Sequence, residues 1–155
     1  MEPARTRALL EDALRRIVCD DRHLLENDLS ERCIAARLAM YLQQVFPEHS
    51  VDVEYNRDGA DPKMLNIPEG CANYHDRRGR AFVVPDVIVH RRGRNGPNLL
   101  VLELKKTSNP DGAGCDRMRV RAFRAQLGYS FGALIECETR RGREPEIRFL
   151  EWIDA

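Results

Sequence analysis

The stretch Phe82-Val83-Val84-Pro85-Asp86-Val87-Ile88-Val89-His90 and the run Leu99-Leu100-Val101-Leu102-Glu103-Leu104-Lys105 carry the reading of this chain. Both are rich in β-branched and aliphatic residues. The connector from Arg91 to Asn98 holds Gly93, Asn95, Gly96 and Pro97, so the pair reads as a β-hairpin with antiparallel strands. Symmetry of that hairpin about Arg94-Asn95 sets Asp86 directly opposite Glu103. Side chains alternate along a strand, so Glu103 and Lys105 share one face and Leu102 and Leu104 take the other. One face of an apolar strand thus carries charge.

A strand covered on both faces is expected to be apolar throughout, because an unpaired buried carboxylate is costly or takes up a proton. Asp86, Glu103 and Lys105 therefore need a common stabiliser. Magnesium or manganese suits them: magnesium prefers oxygen ligands, takes one or two carboxylates, and fills its remaining positions with water and substrate phosphate. Lysine beside such a site can orient or help deprotonate an attacking water, and can offset charge on a phosphoryl oxygen. A cross-strand salt bridge on an exposed edge is the plainer alternative.

At 155 residues, 32% of them charged and 43% hydrophobic, the chain suits one domain over residues 1–155. No run of eighteen apolar residues is present, and Met1-Glu2-Pro3-Ala4-Arg5 lacks the apolar segment of a signal peptide. The expectation is a soluble, cytoplasmic protein with no membrane partner. The five cysteines, Cys19, Cys33, Cys71, Cys115 and Cys137, are odd in number and widely spaced, and are expected to be free thiols. Net charge is zero, which argues against a uniformly basic nucleic-acid-coating surface. Arginines cluster at Arg77-Arg78-Arg80, Arg91-Arg92-Arg94, Arg117-Arg119-Arg121-Arg124 and Arg140-Arg141-Arg143, either for phosphates or from a general preference for arginine. Lys63, Lys105 and Lys106 are the only lysines, which singles out Lys105 as a compact, titratable ammonium.

Leu9, Leu10, Ala13, Leu14 and Ile17 predict a helix over Arg5 to Val18. A second is predicted from Leu29 or Ser30 to Val45, capped by Asn27, Asp28 or Ser30 and stopped before Pro47. At about 100° per residue, its apolar positions Ile34, Ala35, Leu38, Leu42 and Val45 fall within roughly 60° of Glu31. Glu31 thus lies on the buried face, either as a further acid reaching the metal or its waters or as a first-turn partner of the helix dipole. Ser50 to Tyr55 alternates as a half-buried strand with Asp52 and Glu54 toward solvent. Asn56 to Arg80, punctuated by Gly59, Pro62, Pro68, Gly70 and Gly79, reads as a long loop without regular structure. Within it Lys63, Tyr74 and His75 can grip a nucleic-acid backbone or belong to an ordinary surface loop.

A third helix is predicted from Asp116, as its cap, to Gly128, as its stop. Gly132 to Glu138 and Glu146 to Trp152 then form a closing hairpin. Helices, three strands, a helix and two strands make an α/β chain: a mixed sheet of about five strands flanked by helices.

A helix bearing Glu31, a strand with Pro85-Asp86, a strand with Glu103-Leu104-Lys105 and a following basic helix resemble the PD-(D/E)xK nuclease superfamily over about Ser30 to Glu138. The resemblance implies a restriction-endonuclease-like α-β-β-β-α-β core. It implies magnesium or manganese on Asp86, Glu103 and the Leu104 carbonyl, water assistance by Lys105, and Glu31 as the helix acid. Gln126, Arg121 or Arg117 would supply the glutamine or basic residue that some branches carry on the later helix. His90, on the Asp86 face, would be phosphate-facing or second to the metal, or a structural histidine. The expected function is metal-dependent phosphodiester hydrolysis, with DNA as substrate by analogy. The alternative is an inactive module of the same fold that binds nucleic acid or a partner protein. Sequence preference would come from the Asn56 to Arg80 segment, from a homodimer or from a partner protein.

Overall fold

Apolar residues at helical spacing bring the N-terminal half together as two main helices on one side of a sheet. The computed structural model describes residues 1–72, 75–93, 97–111 and 113–154. Helix α1 spans Pro3–Asp20 and buries Leu10, Ala13, Leu14 and Ile17. It starts two residues earlier than the apolar pattern implies, because proline fits the first turn, where its missing N–H is not needed. A short helix α2, Arg22–Glu26, follows; its five residues are too few for a periodicity to declare it. Helix α3 runs Glu31–Val45, and the Ser30 hydroxyl accepts the Cys33 N–H at 3.2 Å as its cap.

The strands are β1 Ser50–Val53, β2 Arg57–Asp58, β3 Asp61–Pro62, β4 Met64–Leu65, β5 Ala81–Phe82, β6 Val87–His90 and β7 Asn98–Lys106. Helix α4, Ala113–Leu127, leads to β8 Tyr129–Cys137 and β9 Ile147–Ile153. The main sheet has the order β1-β6-β7-β8-β9. Its pairs are antiparallel except β7 with β8, which are parallel and joined through α4. Parallel neighbours need a crossover, so α4 lies across the face that α1 and α3 leave open. The coarse expectation of an α/β chain with a five-stranded mixed sheet holds.

The β6–β7 register pairs Val87 with Leu102, Ile88 with Val101 and Val89 with Leu100, the alignment that the symmetric hairpin predicts. The turn residues Arg94, Asn95 and Gly96 lie outside the described residues. Alternation then divides the core. Val87, Val89, Leu100, Leu102 and Leu104 pack with α1 and α3, whereas Ile88 and Val101 pack with Val120 and Phe123 of α4. β7 is buried from Asn98 to Leu104, as a central strand covered on both faces must be.

Three expectations are corrected. The segment 56–80 contains two short antiparallel ribbons, β2–β3 and, with its partner β5 just beyond, β4–β5; two-residue strands leave no sequence period to read. Helix α4 begins at Ala113, so Asp116 lies inside its first turn and is not its cap. Cys71 and Cys115, 44 residues apart, form a disulfide; only Cys19, Cys33 and Cys137 are free. Among the described residues no helix is long and apolar enough to cross a membrane.

Gly132 sets how closely α4 approaches the sheet, since a Cβ there would meet Val120 Cγ1 at 2.5 Å and Arg124 Cδ at 3.3 Å. Gly132→Ala is therefore expected to lower the unfolding free energy by about 1–3 kcal/mol, measured by urea denaturation. An unchanged midpoint would show that α4 shifts without cost.

Candidate functional site

The end of β7 projects Glu103 and Lys105 toward α4, and the first turn of that helix meets them with Asp116 and, one turn on, Arg119. Glu103 is 3% exposed and Asp116 2%. Asp116 Oδ2 lies 2.9 Å from Lys105 Nζ, and its Oδ1 accepts a hydrogen bond from Arg119. Arg119 also donates to Glu103 Oε2 at 3.3 Å. Glu103 Oε1 is buried with no hydrogen-bond partner, while Oε2 faces the Arg119 guanidinium. A buried polar atom left without a hydrogen bond is uncommon in a folded chain.

Asp86 joins from β6. The ladder register, carried one residue beyond Val87, sets it across from Glu103. Asp86 Oδ2 accepts the Leu104 N–H at 2.7 Å, and its backbone carbonyl accepts the Glu54 N–H at 3.2 Å. Burial pushes the Asp86 carboxyl up to about 6; the Leu104 bond opposes this, and the Glu31 and Asp116 charges add to it. Burial also drives Glu103 well above the usual carboxylate range, helped by the Asp86 charge and resisted by Arg119.

Glu31 reaches the same end of the sheet from the opposite layer. It is half-buried and is raised by burial, with Lys105 pulling it down and Asp116 pushing it up. Around Lys105 burial acts to lower the ammonium, but the hydrogen bond and charge of Asp116, then Glu31, hold it above the usual lysine range. Lys105 accordingly stays charged. Among the described residues no three His, Cys, Asp or Glu side chains converge to hold a metal ion by themselves.

The other expected residues are placed elsewhere. Arg117 and Arg121 both pair with Glu151 on β9. Gln126 clamps the backbone of Asn66, accepting its N–H at 2.8 Å and donating to its carbonyl at 2.9 Å. His90 stands four residues from Asp86, about 13 Å along an extended strand. There it is buried, 2.7 Å from Asp52 Oδ2 and packed on Tyr55. Asp52, expected in solvent, is instead largely covered and held by His90 and Arg92.

Lys63 is likewise not a surface contact. It is 1% exposed, donates to the Arg57 carbonyl at 2.8 Å and the Tyr129 hydroxyl at 3.2 Å, and burial pushes it down to about 8. His75 lies against the Ile67 carbonyl, and Tyr74 is outside the described residues. Of the clustered arginines, Arg80, Arg92 and Arg140 pair with Asp76, Asp52 and Glu138. From sequence, Asp116 reads as a helix cap and Arg119 as one of a row of arginines, not as partners of Glu103 and Lys105. The available signal was their i, i+3 spacing on the first turn of the helix after Lys105, which resembles any surface ion pair.

Comparison with known proteins finds no matching family model, no matching curated protein and no matching solved structure.

The raised Asp86 carboxyl has a consequence for stability. The folded chain keeps this proton up to about pH 6, whereas the unfolded chain releases it near 3.8. Its contribution is thus fully present below pH 3.8 and is lost as pH rises through 6. Asp86→Asn keeps the acceptor for Leu104 but removes the charge. In chelator at about pH 7.5 it is expected to raise the unfolding free energy by up to about 3 kcal/mol, a gain that fades toward about pH 4. Urea denaturation across that range reads it, and destabilisation at neutral pH would contradict the account.

Proposed function

We propose that the chain is a divalent-metal-dependent nuclease of the PD-(D/E)xK type, with a restriction-endonuclease-like core, that hydrolyses phosphodiester bonds of DNA. The observation that carries this reading is the unpartnered, buried Glu103 Oε1 beside a second carboxyl, Asp86, that burial and neighbouring acids hold partly protonated. Crowded, desolvated carboxylates of this kind are what a hard divalent cation relieves.

Asp86 and Glu103 would hold magnesium or manganese. Two carboxylates are within the usual complement for magnesium, so a third acidic side chain is not required. In an extended strand the N–H and C=O of one residue point to the same edge, and the Leu104 N–H already meets Asp86. The Leu104 carbonyl is thereby directed to the Asp86 side as the third donor. A bound ion supplies positive charge for a phosphoryl oxygen and acidifies a coordinated water.

The remaining roles fall to this chain's own groups. Lys105, kept charged by Asp116 and Glu31, acts as a hydrogen-bond donor that orients the attacking water and steadies charge on the phosphate, not as the base. Glu31, within electrostatic reach of Asp86 and Lys105, is the carboxylate suited to receive the proton. Asp116 positions Lys105.

One observation favours a second reading. Lys105 and Arg119 already offset the charge of Asp116 and Glu103, as in a module that binds nucleic acid or a partner protein without cutting. Purified protein incubated with plasmid and single-stranded DNA separates the two. Cleavage is expected only with magnesium or manganese, falling on the order of a thousandfold in Asp86→Ala and Lys105→Ala. Cleavage that survives either substitution contradicts the assignment, and binding without cleavage or manganese uptake supports the second reading.

A further inference from the structure

Arg119 is wedged between the acidic cluster and the segment that crosses it. Its Nη2 meets Glu103 and Asp116, while Nη1 donates to the Cys71 carbonyl at 3.3 Å. Cys71 is in turn bonded to Cys115, the residue immediately before Asp116. The segment leading to Cys71 is thus tied to α4 by the Gln126 clamp on Asn66 and, at the cluster, by the Arg119 bond to the Cys71 carbonyl and by the disulfide, the covalent tie of the three. Both cysteines are partly buried and neither is sealed inside the core.

A guanidinium held against Glu103 and Asp116 and a divalent cation on Glu103 and Asp86 repel one another, and they compete for the same carboxylate. Whatever fixes Arg119 therefore sets how readily the cluster admits a cation. We propose that the Cys71–Cys115 disulfide is a redox latch: closed, it holds Arg119 over the acids; reduced, it releases the guanidinium and opens the cluster to magnesium or manganese. The latch rests on the metal reading above and adds its regulation.

The opening step is thiol–disulfide exchange with a dithiol reductant. Its thiolate attacks one sulfur of the Cys71–Cys115 bond, forming a mixed disulfide and expelling the other cysteine as a thiolate, which takes a proton. The reductant's second thiol displaces the first cysteine, so the dithiol leaves as its own disulfide. Cys71 and Cys115 gain two electrons and two protons between them.

The test is manganese affinity, followed by the loss of the free-ion spin-resonance signal, in unreduced protein and in protein reduced with dithiothreitol and desalted anaerobically. Alkylation of the denatured protein first reports the state of the latch: three reactive thiols unreduced and five after reduction. Reduction is expected to tighten manganese binding roughly tenfold, a usual size for coupling between two sites. Cys71→Ser/Cys115→Ser is expected to match the reduced protein. Arg119→Gln is expected to bind tightly in both states and so lose the redox dependence.

Equal affinity in the two states of the wild-type chain overturns the latch and leaves the metal site standing. So does a redox dependence that persists in Arg119→Gln. Five free thiols without reduction also overturn it. No manganese binding in any form overturns the metal reading itself, and the latch with it.

Discussion

The contact of the Arg119 guanidinium with Glu103 and Asp116 holds charge inside an otherwise apolar layer, and the geometry of the site follows from it. A carboxyl as buried as Glu103 takes up a proton or keeps its charge beside a compensating cation. That cation comes from α4, whose place is dictated by the parallel pairing of β7 with β8. The close approach of the helix over Gly132 completes the arrangement. Sheet topology, helix placement and site electrostatics are therefore one problem: the crossover that the parallel pair demands delivers the side chains that the charged end of β7 needs.

Much of this was legible in the residues. The hairpin register followed from the symmetry of two apolar runs about a turn, and a single-residue slip would have sent every side chain to the wrong face. Ser30 and Pro47 bracketed α3, and rotation about that helix directed Glu31 inward, where it is half-buried and feels the Lys105 charge. These features are local, repeated every two or every 3.6 residues, and reinforced by stop signals.

What escaped was long-range or non-periodic. Asp116 read as a cap because a polar residue near a helix start commonly is one; its ion pair with Lys105 depends on how α4 is docked. Arg119 was one of a row of arginines, and only the fold separates it from Arg117 and Arg121, which turn to Glu151. The Cys71–Cys115 bridge spans a segment without a sequence period. Asp52 and Lys63 looked like surface charges because the pattern of one strand or loop does not reveal that His90 and Tyr129 will cover them.

The charge balance of the cluster can be met by Arg119 and Lys105 from within, or by a divalent cation from outside on Asp86 and Glu103. The most direct test of the second is a crystal of the reduced protein grown with manganese and measured at a wavelength that makes manganese scatter anomalously. The account predicts one strong anomalous peak bonded to Asp86, Glu103 and the Leu104 carbonyl, with Arg119 withdrawn from Glu103. A map with no peak there, and Arg119 still against Glu103 at saturating manganese, would contradict it.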